Sequence, residues 1–415
     1  MTRFCRSVVP TTVLLVQAVV INCLPVRDEH GMGYRTNEEL ESFLLTMASQ
    51  HPDKVHTFRI GKSVDGNNIL AVAIAATDPD RHLTLRPNVL FTANIHGNEV
   101  VGREILLHLL SYLVQTYGEN ELTTELMDSS RLIMIPSMNP DGFNSAVEGD
   151  CHTVIGRTNK HGVDLNRNYP KIWRHTEDTY EPETLAFINW VSAVPIVLSI
   201  DFHGGSLVVN YPFDSRNDSK DYYSAAPDDD VFRSLALQYS KSSEKMASMV
   251  NTWCPLDPER FKDGITNGAD WYGIEGSLQD YLYVYKGAMA FTLEISCCKY
   301  PPYSTFTSYW TDNLTPILRF WKTANSGIKG VVTENETGKP LAARMKIVGR
   351  DMPFFSDHNG EFYRILLPGK YRLLTEVGNY PPTLTDFVLT PEAPYLTLNV
   401  TVSKEKTGVS GYVYT

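Results

Sequence analysis

Positive charge is in short supply in this 415-residue chain, where 37 Lys and Arg stand against 48 Asp and Glu for a formal net charge of −11. That balance leans away from nucleic acid and anionic membrane surfaces and toward cationic ligands, but an ordinary acidic soluble protein fits it equally well, so charge alone decides nothing. No Gly-x-Ser-x-Gly occurs, so the strained turn that exposes a serine nucleophile has no support and a serine hydrolase is not indicated. Internal repeats, low-complexity tracts and long linkers are also missing. No apolar C-terminal tail of the lipid-anchor type is visible, which favours a secreted form over an anchored one. Hydrophobic residues make up 42% of the chain, enough for a large core, arranged either as two or three domains or as one large α/β domain with a small companion.

The one long apolar run lies at the start. Arg3 and Arg6 precede an almost unbroken apolar stretch over 8–21, and polar sequence begins at Arg27. Residues 1–24 therefore read as a secretory signal peptide, with an uncleaved anchor as the alternative. The expected location is the extracellular space, or else the cell surface. Cysteine is scarce: Cys5 and Cys23 fall in the leader, leaving Cys151, Cys254, Cys297 and Cys298. Adjacent cysteines rarely bridge each other, so bridges from Cys151 and Cys254 to the 297/298 pair are the economical reading, with connectivity open. Sequons at Asn217, Asn313, Asn335 and Asn399 agree with that route.

From about residue 37 to 325, short apolar runs alternate with amphipathic stretches. Helices are predicted over 37–49, 100–117, 182–191, 231–250 and 315–322, and buried strands over 89–95, 132–136, 196–202 and 289–295. Strands alternating with helices imply a mixed, largely parallel sheet covered on both faces. Around residue 326 the pattern changes to short strands at 328–332, 345–348, 361–366, 371–376, 386–389 and 395–402, a small β-sandwich. The predicted division is a leader at 1–24, a first domain at 25–325, a sandwich at 326–403 and a tail at 404–415.

The chemistry-bearing residues sit where predicted strands end. His96 and Glu99 follow one strand; a His-x-x-Glu pair can offer one zinc ion an imidazole nitrogen and a carboxylate oxygen. Alone the pair is weak, since about one such spacing is expected by chance. His203 follows another strand and completes a two-His, one-Glu set that leaves a position for water. Arg157 and the run Asp164-Leu165-Asn166-Arg167-Asn168 suit carboxylate binding through bidentate hydrogen bonds. Glu294 ends a buried run; a carboxylate there is costly unless paired or functional, and partial burial would tune it for general acid–base work. The bland readings are a hydrogen-bonded core histidine, a solvated loop and a structural glutamate, and the combination outweighs them.

Seven segments, at 96–104, 136–143, 164–168, 203–205, 210–214, 263–272 and 292–301, together resemble the zinc metallocarboxypeptidases of the regulatory N/E branch. The resemblance implies an α/β catalytic domain with a mixed central sheet flanked by helices, followed by a transthyretin-like β-sandwich. It implies one Zn²⁺ per chain held by His96, Glu99 and His203, with Asp164 orienting His96. Arg157 would stabilise the oxyanion, and Glu294 would relay the proton. Asn166, Arg167 and Tyr272 would hold the terminal carboxylate of a peptide or protein substrate; Tyr272 is preferred over Tyr281 and Tyr283 by its spacing from Glu294. Asp214 and Gln279 would select a Lys or Arg side chain. Three departures stand out: 284–290 lacks the usual Cys and Glu, Ser277-Leu278 replaces Gly-Met, and Asp201 stands where relatives carry Asn. The competing expectation is a catalytically weak or inactive peptide-binding protein on the same fold.

Overall fold

The computed structural model describes residues 33–174, 179–218, 220–247, 254 and 260–404. The leader at 1–24 and the tail beyond 404 lie outside the described residues. Eight strands form the sheet that carries the site: β1 (Val55–Lys62), β2 (Asn68–Ile74), β3 (Asn88–Ala93), β4 (Arg131–Ile135), β5 (Ile196–His203), β6 (Leu207–Tyr211), β7 (Ile265–Asn267) and β8 (Met289–Ile295). Their spatial order is β1-β2-β4-β3-β5-β8-β6-β7. The run β4-β3-β5-β8 is parallel, whereas β1 with β2, β2 with β4 and β6 with β8 are antiparallel. Every residue of β3, β4, β5 and β8 is buried, as expected for central strands covered on both faces.

Two apolar layers provide that cover. One face packs on the helices Asn37–Gln50, Val101–Thr116, Asp229–Ser242 and Phe306–Lys322, through side chains such as Leu44, Ile105, Phe232 and Trp321. The other packs on Pro182–Val191 and Leu278–Lys286, through Phe187, Leu278 and Leu282. Thr36 caps the first helix in a reciprocal box with Glu39.

Some element bounds differ from the sequence expectation. The helix predicted at 315–322 starts at Phe306 and carries Pro316 inside. Its buried stripe of Phe306, Trp310, Leu314, Ile317 and Trp321 offsets the lost proline N–H. The helix predicted at 231–250 breaks at Ser243 into Asp229–Ser242 and Glu244–Ala247, with 248–250 outside the described residues. Asn313 is buried, donates to the Tyr309 carbonyl at 2.8 Å and accepts from the Tyr239 hydroxyl at 2.9 Å, so it is no open glycosylation site.

Beyond Gly327 two small sheets face each other across Val332, Met345, Phe362 and Leu373. One is built on Arg344–Ile347, Phe354–Phe355, Gly369–Glu376 and Thr383–Leu389, the other around Gly327–Glu334. A buried polar seam ties them to the preceding part of the chain. Asp228, fully buried, accepts from Arg364, from Arg350 at 3.1 Å and from the Tyr283 hydroxyl at 2.7 Å. Disulfides join Cys151 to Cys298 and Cys254 to Cys297, which fixes the connectivity left open by the sequence.

Candidate metal centre and substrate pocket

Three neighbouring parallel strands deliver the central groups from one edge of the sheet. The chain leaves β3 through Asn94, a buried residue at φ +60°, whose side-chain amide donates to the carbonyls of His96, Gly97 and Glu99 at 3.1, 2.8 and 3.3 Å. Asn94 thus shapes the loop that presents His96 and Glu99. Gly97 is required there because a Cβ would fall 2.2 Å from the backbone of Gly142. His203 ends β5 and Glu294 lies directly across from it on β8. Ligand sites in open α/β sheets lie beyond such strand ends.

His96, Glu99 and His203 offer one atom each within 4.8 Å of one another. Both Nδ1 atoms converge on Glu99 Oε2, at 3.1 Å for His96 and 2.9 Å for His203. Each Nε2 faces another carboxylate: His96 meets Asp164 Oδ1 at 3.0 Å and His203 meets Asp201 Oδ2 at 2.7 Å. This donor set fits a divalent cation, with two imidazoles fixed in one tautomer and one carboxylate oxygen. Burial alone would raise the pKa of Glu99, but Lys299 and His96 hold it well below the usual carboxylate range. Asp164 is held low in the same way, with His96 and Arg157 overcoming its burial.

Glu294 is different. It is buried, its Oε2 has no hydrogen-bond partner among the described residues, and burial together with Glu99 pushes its pKa up to about 7. Arg157 faces the same space; its Nε and Nη2 donate to Asp164 Oδ2 at 3.1 and 2.8 Å, which leaves Nη1 3.3 Å from His96 Nδ1.

One cavity is lined by these groups and by Asn166, Arg167, Tyr272 and Asp214. Asn166 is locked by its Oδ1, which accepts from the Leu278 amide at 2.9 Å, and Arg167 reaches the Asn166 carbonyl at 2.8 Å. Tyr272 stands at the rim, 43% exposed, with its phenol raised to about 12 by its surroundings and by Glu294. Asp214 lines the same cavity, is 2% exposed and accepts from Asn210 at 2.9 Å. Burial raises its pKa, and behind it burial and Asp214 itself hold Asp280 well above the usual range. Gly268 permits this packing, since a Cβ there would sit 1.9 Å from Asp214 Oδ1.

Gln279 departs from expectation. It does not line the cavity but stands behind Asn210, to which it donates at 3.4 Å. Asn210 is the residue that reaches the wall, inside a motif that sequence reasoning quoted without giving it a role. Lys299 was likewise missed. It donates to Glu99 and, at 3.0 Å, to the Gly204 carbonyl, a contact that no local sequence pattern announces.

A family profile described as zinc carboxypeptidase matches residues 40–316. The chain is 37% identical to carboxypeptidase M of Mus musculus over 372 residues, 88% of this chain and 83% of that protein. It is 32% identical to the carboxypeptidase N catalytic chain of Rattus norvegicus, covering 86% and 84% of the two. Carboxypeptidase D of Rattus norvegicus is 36% identical over 89% of this chain, which spans only 27% of that protein's length. Among solved structures, carboxypeptidase A from Helicoverpa armigera superposes with a TM-score of 0.57 at 17% identity, covering 71% of this chain and 74% of that one, a likeness of fold.

Proposed function

Because the chain belongs to the zinc carboxypeptidase family, we propose that it is an exopeptidase that hydrolyses the last peptide bond of peptides and proteins ending in Lys or Arg. The observation that carries this reading is a single cavity lined both by the His96–Glu99–His203 set with Glu294 and by the buried carboxylate of Asp214. A zinc ion held by those three side chains would supply Lewis acidity and an activated water near neutral pH.

The remaining chemistry belongs to the protein. Glu294, with an unpartnered oxygen and a pKa near 7, takes the proton from the attacking water and returns it to the leaving amine. Arg157 directs Nη1 at the reacting centre and stabilises negative charge developing on the scissile carbonyl oxygen. Asn166, Arg167 and Tyr272 bind the terminal carboxylate, which restricts cleavage to the last bond. Asp214 accepts the cationic side chain, with Asn210 holding its carboxylate in place. A peptide-binding protein without turnover would have no use for an unpartnered Glu294 beside a complete ligand set.

Two disulfides and the leader-like start favour an extracellular setting. Among the described residues no helix is long and apolar enough to cross a membrane. Matched dipeptides ending in Arg, Lys, Phe and Glu, assayed with and without chelator, test the proposal. Chelator-sensitive cleavage of the two basic ends is expected. Equal cleavage of the Phe-ended substrate refutes the role of Asp214, and full activity in chelator refutes the metal.

A further inference from the structure

We propose that Asp201 is a positioning residue for the metal centre, so that both histidine ligands, not His96 alone, are backed by a carboxylate. The inference rests on the zinc-binding reading above and extends it to a residue with no part in that reading.

Asp201 and His203 are two apart on β5, and side chains two apart on a strand share a face. This brings Asp201 Oδ2 to 2.7 Å from His203 Nε2. The other oxygen is fixed as well: Oδ1 accepts from the Thr92 hydroxyl at 2.7 Å, and Thr92 is the register partner of Asp201 on β3. Thr92, Asp201 and His203 thus form a rigid relay across two strands, ending at the Nδ1 that faces Glu99. With Nε2–H donated to Asp201, the lone pair of Nδ1 is turned toward the metal position, the tautomer that a ligand requires.

Charge makes the stronger argument. Asp201 is 2% exposed, and among the described residues no Lys or Arg pairs with it. A buried carboxylate is costly unless a partner of opposite charge meets it. A serine or asparagine would fill the same hydrogen-bonding role at lower cost. The partner of that carboxylate is His203, the ligand that would share the charge of a dication on the far side of its ring. Asp164 is shared between His96 and Arg157, whereas among the described residues Asp201 meets His203 and the neutral hydroxyl of Thr92.

The test compares wild type, Asp201→Asn and Thr92→Val. Asparagine keeps one oxygen for His203 and can donate to Thr92, so it removes charge and little else. Valine keeps the charge and frees Asp201 to turn. Zinc affinity is measured by competition with a chromophoric chelator, with thermal unfolding of the chelated proteins as the control for fold. Asp201→Asn is expected to bind zinc about 10- to 100-fold more weakly. Thr92→Val should show a smaller loss of a few-fold, and the chelated proteins should unfold at the wild-type temperature. With zinc saturating, KM for an Arg-ended dipeptide should be unchanged in both.

Zinc affinity of Asp201→Asn within about twofold of wild type overturns the proposal, as does a zinc loss matched by an equal loss of stability in the chelated form. If Asp201→Asn is not recovered folded, unchanged zinc affinity in Thr92→Val overturns it. A wild-type protein that takes up no zinc overturns both this inference and the functional reading beneath it, while normal wild-type uptake with an indifferent Asp201→Asn sinks this one alone.

Discussion

Asp214→Asn changes one buried charge in the cavity wall and almost nothing else. The bond from Asn210 to Oδ1 can persist, and the main-chain amide of residue 214 still donates to Asp280 Oδ1 at 3.0 Å. Two unit charges about 3 Å apart attract by about 5–6 kcal/mol at an effective dielectric of about 20. Desolvation of both partners offsets part of that, and removing one member of a buried hydrogen-bonded charge pair typically costs about 2–5 kcal/mol. Burial already raises the pKa of Asp214, so some of the attraction goes to keeping it ionised, which places the effect near the lower end. A loss of about 100-fold in kcat/KM for Arg- and Lys-ended dipeptides follows, at about 1.4 kcal/mol per tenfold. Because the side chain is bound alike before and during reaction, the loss should appear chiefly in KM. A Phe-ended dipeptide should be cleaved no worse than by wild type. Steady-state kinetics on the matched series decides the matter: a loss under about threefold on basic ends, or a parallel fall on Phe, refutes the assignment.

Glu294→Gln should lower kcat by about 10²- to 10⁴-fold while the purified protein retains its zinc, and undiminished turnover by the zinc-loaded variant would exclude Glu294 as the proton carrier. The acid limb of kcat/KM should follow the same carboxyl, which must be ionised to accept a proton, so activity falls as pH falls through its pKa. That pKa is about 7 with Glu99 uncompensated; a dication at the triad offsets the charge of Glu99, and the limb should fall between about 4.3 and 7 and vanish in Glu294→Gln. Gly268→Ala should raise KM for basic ends by displacing Asp214, with KM for a Phe-ended dipeptide as the comparison. Arg364→Ala should destabilise the fold by about 3 kcal/mol in a denaturant titration, since it removes one buried partner of Asp228 while Arg350 and Tyr283 remain.

The central groups were legible in sequence for a physical reason. A fully buried parallel strand reads as a short unbroken apolar run, and a His or Glu at its end stands out, as His203 and Glu294 do. Residues acting through a third party were not legible in that way. Asp201 was noticed only as a departure from a resembling pattern, and its contact with His203 depends on the two-residue period of a strand whose facing side is set by tertiary packing. Lys299 meets Glu99 across 200 positions of sequence. Asn210 lines the cavity with Gln279 behind it, a contact across 69 positions of sequence that no local periodicity encodes. The β1–β2 hairpin, Val55–Lys62 and Asn68–Ile74, has no counterpart in the pattern reading; β1 is mostly half-exposed and carries Arg59 and Lys62, which blunts its apolar signal.

Under the proposed function the metal and the substrate preference become one electrostatic condition. In and just behind the cavity wall the acidic residues Glu99, Asp164, Asp201, Asp214 and Glu294 outnumber the basic residues Arg157, Arg167 and Lys299. A dication closes that gap at the ligand end. A peptide terminus ending in Lys or Arg then brings one negative and one positive charge to a site that is already balanced, and each finds a partner of opposite sign. A terminus ending in Phe brings the carboxylate alone and leaves Asp214 buried against an apolar ring, where an uncompensated charge costs several kcal/mol. Selection therefore arises from burial: the same Asp214 at an open surface, screened by water, would discriminate by less than about 1 kcal/mol.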